Sequence, residues 1–145
     1  MKKIFAFVFI FAFYSCNQKI TKEDISKING YWEIENVTFP DGTNKKYTIN
    51  ETYDFFEIKG ESGFRKKVNP QLDGRFLVNN QSEKVTFLIE KGKSFLVFST
   101  NFAKWKEEIK TLNEDKLVLI NSENIEYNYK KAGPINLESY GKKAQ

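Results

Sequence analysis

From Gly30 onward the chain alternates apolar and polar residues with a period of two, and turn residues interrupt the alternation at short intervals. A period of two puts successive side chains on opposite faces of an extended strand, so the pattern reads as a series of half-buried strands. The candidate strands are 31–39, 53–58, 64–68, 75–79, 84–90, 94–100, 105–112, 116–120 and 125–130. Between them stand Asp41-Gly42, Gly60, Asn69-Pro70, Asp73-Gly74, Asn79-Asn80, Lys91-Gly92, Asn113-Glu114-Asp115 and Asn121. No helical period intervenes, and the loops are mostly short, which means antiparallel pairing in a meander. Eight or nine such strands either close on themselves or leave two unpaired edges, and closure removes the edges. The expected fold is therefore all-β: an antiparallel up-and-down barrel of 8–9 strands behind a short N-terminal helix at 21–28. Thr21 caps that helix with Asp24 as a weak capping box, Ile25 and Ile28 share a face, and Gly30 ends it.

One hairpin fixes its own register. With Lys91-Gly92 as a two-residue turn, Glu90 pairs with Lys93, Leu88 with Phe95, Phe87 with Leu96 and Val85 with Phe98. Val85, Phe87, Ile89, Leu96 and Phe98 then face the interior. Thr86, Leu88, Phe95 and Val97 face outward, and that face is apolar enough to need a cover, either Ile25 and Ile28 of the helix or a partner.

Ahead of the strands, residues 1–16 read MKKIFAFVFIFAFYSC. Lys2 and Lys3 precede an uncharged apolar run, then small Ser15 and the single cysteine, Cys16. That order is a secretory signal, and the run is too short for a permanent span of about 20 residues. Ser15-Cys16 resembles the lipobox of bacterial lipoproteins, although Phe13 and Tyr14 depart from its usual residues. The resemblance implies cleavage before Cys16 and a diacylglyceryl group on its thiol. The alternatives are an ordinary signal peptide with a free thiol, or a eukaryotic secreted chain with sequons at Asn36, Asn50 and Asn80. The expected organisation is a signal peptide at 1–15, a lipidated tether at 16–20, a barrel domain at 21–133 and a C-terminal tail at 134–145. Asn17 to Thr21 reach at most about 18 Å when extended, which holds the domain near its membrane. The expected location is the bacterial cell envelope, on the periplasmic side or at the outer membrane.

Of the net charge of +4, Lys2 and Lys3 supply two and leave with the signal. The remaining near-balance, with basic pairs scattered along the chain, speaks against nucleic acid as a partner. A lone cysteine forms no intrachain disulfide, so stability rests on the core.

Gly30-Tyr31-Trp32 follows the short helix and opens the first strand. It resembles the Gly-x-Trp signature of lipocalins, in which the glycine permits the turn and the tryptophan closes the barrel floor. Gly74-Arg75-Phe76-Leu77-Val78 with Val85-Thr86-Phe87, and the segments around Ile109, Leu117 and Tyr127, resemble the lipocalin-like domains of bacterial lipoproteins. One departure stands out. Ligand-carrying lipocalins lay an arginine from the last strand over the tryptophan, whereas here only Lys130 or Lys131 is available.

The chain has no histidine, which removes histidine acid–base chemistry, Ser–His nucleophiles and almost every zinc or copper site. Glu107 and Glu108 point to opposite faces of a strand and, like Glu33, Glu35, Glu114 and Asp115, read as solvated structure. The expectation is a protein that is not an enzyme and holds no metal or cofactor. The aromatic residues Trp32, Phe56, Phe76, Phe87 and Tyr127 are the candidates to line a pocket for a small apolar ligand. Filling a solid barrel is the other reading of the same residues. Leu88, Phe95 and Val97 are the candidates for a patch that binds another envelope protein.

Overall fold

The computed structural model describes residues 19–133. The expected signal peptide, Cys16 and the tail at 134–145 lie outside the described residues. A five-residue 3-10 helix, Asp24–Ile28, leads into the strands. These are β1 (Gly30–Thr38), β2 (Asn44–Lys46), β3 (Tyr53–Lys59), β4 (Ser62–Pro70), β5 (Phe76–Glu90), β6 (Lys93–Ser99), β7 (Lys104–Leu112), β8 (Lys116–Ile120) and β9 (Glu126–Ala132). From β3 to β9 each strand pairs antiparallel with the next, β3 pairs with β1, and β9 returns to β1. Eight strands thus close the barrel, and β2 lies beside the far end of β1 as an extra strand.

Two elements differ from expectation. β2 is three exposed residues, too short and too polar to show a period. The candidate strands 75–79 and 84–90 are one strand, β5. Its pairing with β4 jumps from Lys66↔Ser82 to Val68↔Val78, so residues 79–81 bulge out. Asn79 accepts a hydrogen bond from the Gln81 amide (3.2 Å), the local bond that made Asn79-Asn80 read as a turn. Pairing to β4 on both sides of the bulge keeps the chain running as one strand.

The helix plugs one end of the barrel. Thr21 and Asp24 form the capping box, with the Thr21 amide donating to Asp24 Oδ2 (3.0 Å) and its hydroxyl to the same oxygen (2.9 Å). Ile20, Ile25 and Ile28 turn inward and join Trp32, Phe56, Val85, Leu96 and Phe98 in the core. They do not cover the outer face of β5 and β6, because the barrel end offers a deeper apolar site than the wall. Two side chains sew the plug to the sheet. Asn29 exchanges hydrogen bonds with the Ile58 backbone (3.0 and 2.7 Å), and the Ser94 hydroxyl donates to the Ile20 carbonyl (2.7 Å).

The β5–β6 hairpin has the register read from sequence, pair for pair. Lys91 (φ 50°) and Gly92 (φ 76°) both lie in the left-handed region, as a type I′ turn requires. Val85, Phe87, Leu96 and Phe98 are inside. Ile89 is not: it is 44% exposed, since it stands at the rim beside the turn, past the packed plug.

Candidate binding cavity

The plug closes one end, so the loops after β1, β2, β4, β6 and β8 surround the other. Beneath them lies a cavity of about 210 Å³. Trp32, Ile34, Val37 and Tyr127 supply its apolar wall, and Tyr47, Thr52, Asp54, Lys67 and Tyr129 supply its polar groups. Trp32 is the floor. Its indole is fully buried and donates through Nε1 to the Ile28 carbonyl (2.6 Å), which ties the floor to the plug. Opposite Trp32 on β9 stands Lys131. Its ammonium lies 4.4 Å from the ring centre and donates to the carbonyls of Lys27 (2.9 Å) and Asn29 (2.5 Å). Lys131 therefore takes the place of the arginine that the sequence lacks. Burial lowers its pKa.

A polar layer crosses the interior above the apolar core. Trp32 pairs across the sheet with Asp54 of β3, and Asp54 with Lys67 of β4. Asp54 is 3% exposed, and its Oδ1 is the oxygen that the Lys67 ammonium ion-pairs. Phe56 pairs with Arg65, and Arg65 with Glu83. The buried Arg65 guanidinium bonds Glu83 and lies 4.2 Å from the Phe98 ring centre, with Trp105 stacked on Phe98 at 5.4 Å. Glu107 accepts a hydrogen bond from Trp105 Nε1 (3.1 Å). Burial pushes the Glu107 carboxyl up, against the opposing pull of Arg65. Burial first and the Asp54 charge second hold the Tyr129 hydroxyl well above its usual range. A wider groove of about 780 Å³ runs along the β5 bulge and shares Arg65 and Lys67 with this layer.

The five candidate lining residues separate into three groups. Trp32 and Tyr127 line the cavity. Phe56 and Phe87 are packed in the core and do not. Phe76 is on the outside of the barrel, stacked on Tyr31 (centroids 4.1 Å, planes 8° apart) and near Tyr53 (6.5 Å). The reason is parity. Phe56 and Asp54 face in, so Phe55 and Tyr53 face out, and Val68 and Phe76 fall on the same outer face.

In the candidate partner patch, Leu88 is 40% exposed, Phe95 and Val97 are half-buried, and the Lys106 ammonium covers the Phe95 ring at 4.4 Å. Glu107, read as solvated, is buried, while Glu108 faces out and pairs with Lys93 (2.9 Å). The sequence reading missed Asp54, Arg65 and Lys67. The signal was the shared parity of Asp54, Phe56 and Ile58, but Tyr53 and Phe55 are equally apolar and hid which face was buried. Among the described residues, no three His, Cys, Asp or Glu side chains are grouped to hold a metal ion, and no helix is long and apolar enough to cross a membrane.

An antiparallel eight-stranded barrel with a helical plug, a tryptophan floor and one open end is a lipocalin-like barrel, and its shape is compatible with ligand binding. The lipocalin-like domain family matches residues 28–119, more than half of the chain, and the protein belongs to that family. Among solved structures it is similar to a lipocalin-like protein from Bacteroides uniformis (TM-score 0.46, 14% identity, 73% of this chain and 99% of that one). It is also similar to an uncharacterized protein from Bacteroides eggerthii (TM-score 0.46, 12% identity, 72% and 98%). A third similar structure is apocrustacyanin C1 (TM-score 0.46, 12% identity, 83% and 69%). No curated protein matches the chain.

Proposed function

We propose that this protein is a non-catalytic, lipid-anchored barrel of the bacterial cell envelope that binds a small molecule in the cavity above Trp32. The observation that carries this reading is the cavity itself: about 210 Å³ of space over a fixed aromatic floor, with apolar walls and a few convergent polar groups. At about 30 Å³ per water molecule the space equals roughly seven waters, which suits one ring and a short chain, not a long acyl tail. The anchor reading rests on the apolar run and on Ser15-Cys16. Ile20 is buried at the plugged end, so a lipid on Cys16 would hold that end toward the membrane and leave the mouth facing away.

The test reads Trp32 fluorescence in a Trp105→Phe background, which leaves Trp32 as the only indole. Small aromatic molecules are expected to change the Trp32 signal saturably, and Val37→Phe, which fills the cavity, is expected to abolish the change while near-ultraviolet circular dichroism is retained. A signal unaffected by Val37→Phe refutes binding in the cavity. For the anchor, mass analysis is expected to find a diacylglyceryl group on Cys16, and Cys16→Ala is expected to leave the membrane fraction; an unmodified thiol refutes it.

A further inference from the structure

We infer that the groove along the β5 bulge is a binding site for a short neutral oligosaccharide, separate from the cavity above Trp32. The groove exists because the barrel wall splits there. β5 pairs with β6 only as far as Lys84↔Ser99, and upstream of Lys84 its register with β4 jumps from Lys66↔Ser82 to Val68↔Val78. Residues 79–83 therefore run past the end of β6 with no strand on that side among the described residues. The space between them and the β6–β7 loop is about 780 Å³, within the range of about 300–1,000 Å³ that small-ligand sites occupy. Bulges re-aim side chains beside binding sites, and this one brings Asn79, Asn80 and Gln81 into the lining. The groove shares only Lys67 with the lining of the cavity above Trp32.

The lining chemistry selects the ligand. Asn80, Gln81 and Asn101 are exposed, and their side-chain amides hold no protein partner among the described residues. An amide both donates and accepts, as does each hydroxyl of a sugar, so the two groups match without any charge. Charge has little to offer here. Of the cations in the lining, Arg65 bonds Glu83 and Lys67 ion-pairs Asp54, which leaves Lys84. The second feature is Phe102, in the same lining and 97% exposed, the most exposed of the large apolar residues described. The loop that carries it is held in place, because the Thr100 hydroxyl accepts from the amides of Phe102 (3.2 Å) and Ala103 (3.1 Å). A fixed aromatic ring beside a set of amides suits a pyranose: the ring face covers its C–H groups while the amides take its hydroxyls. A purely apolar ligand would cover Phe102 but strip water from the amides without replacing it, which is costly.

The test titrates maltotriose, cellotriose, mannotriose and N-acetylated chitotriose against the purified protein by calorimetry and saturation-transfer NMR. At least one is expected to bind, with the strongest transfer to its ring C–H protons. Phe102→Ala is expected to weaken that binding about tenfold, the scale of one aromatic contact. Asn101→Ala is expected to weaken it as well, and both variants should keep the wild-type melting temperature because both side chains are exposed. Val37→Phe, which fills the cavity above Trp32, is expected to leave sugar binding unchanged. Binding of none of the four by the folded protein overturns the proposal and leaves the cavity reading intact. Sugar binding that survives both Phe102→Ala and Asn101→Ala, or that is lost in Val37→Phe, overturns the groove assignment. Displacement of the sugar by inorganic phosphate would place an anion at Lys84 and overturn the neutral assignment.

Discussion

The Lys131 ammonium lies 4.4 Å from the centre of the Trp32 ring while it bonds the carbonyls of Lys27 and Asn29, so one side chain joins the last strand, the first strand and the plug. Lys131→Ala strips the cation from the ring and leaves two carbonyls at the end of the helix without a donor. The expected loss is about 2 kcal/mol in urea denaturation, from the cation–π contact and the charged hydrogen bonds together. Lys131→Arg should lose less, because a guanidinium keeps the charge and stacks well. Trp32→Ala should cost about 3–5 kcal/mol, as a large-to-small change in a filled core.

Gly30 is the hinge of the same junction. Its φ of +114° is open to glycine, and a Cβ there would stand 3.3 Å from Lys131 Cε. Gly30→Ala should therefore destabilise by about 1–3 kcal/mol through backbone strain. If Lys131 supplies part of the crowding, Lys131→Ala in the same chain should recover some of that loss in a double-mutant cycle.

The opposite sign is expected at the β5–β6 turn. Lys91 sits at φ 50°, a conformation that a lysine adopts only under strain and an asparagine readily. Lys91→Asn should raise stability by up to about 1 kcal/mol, since a residue outside glycine pays roughly that in the left-handed region. An unchanged denaturation midpoint would show that the turn carries no strain.

How far the fold was legible follows from where the signal is strong. The β5–β6 register could be read pair by pair because Lys91-Gly92 fixes the turn and both strands alternate around it. The barrel and its floor followed from strand spacing and from Gly30-Tyr31-Trp32. The polar layer did not, because β3 reads Tyr53-Asp54-Phe55-Phe56 and carries large apolar groups on both faces. Only the partner strands decide that Asp54 and Phe56 face in while Tyr53 and Phe55 meet Phe76 outside. Phe76 was misread for the same reason: its face depends on a bulge at 79–81 that shifts the pairing and leaves no periodic trace.

That misreading has its own test. Phe76 holds the tip of the β4–β5 hairpin against Tyr31 on the outer wall. Phe76→Ala should cost about 1–2 kcal/mol from the lost ring pair and its burial. It should also speed amide exchange in the tip while leaving any change in Trp32 fluorescence on ligand addition as it was. Loss of that signal would return Phe76 to the binding surface.

Glu107 sets the pH dependence of the polar layer. Burial raises its pKa above the ordinary 4.5, while Arg65 and the Trp105 hydrogen bond pull the other way without cancelling the shift. The folded state thus holds a proton on Glu107 over a window that opens at 4.5 and closes at the raised value. Within that window the folded state binds more protons than the unfolded one, so stability falls as pH rises through it. The stabilising share of the protonated acid is complete below 4.5 and lost above the folded value. Glu107→Gln removes the charge and keeps an oxygen that can accept from Trp105. It should therefore raise the melting temperature at about pH 8 and change it little at about pH 3, where wild-type Glu107 is already neutral in both states. Equal shifts at the two pH values would mean that the gain comes from packing, and a lower melting temperature at about pH 8 would mean that the Glu107 charge is needed to balance Arg65.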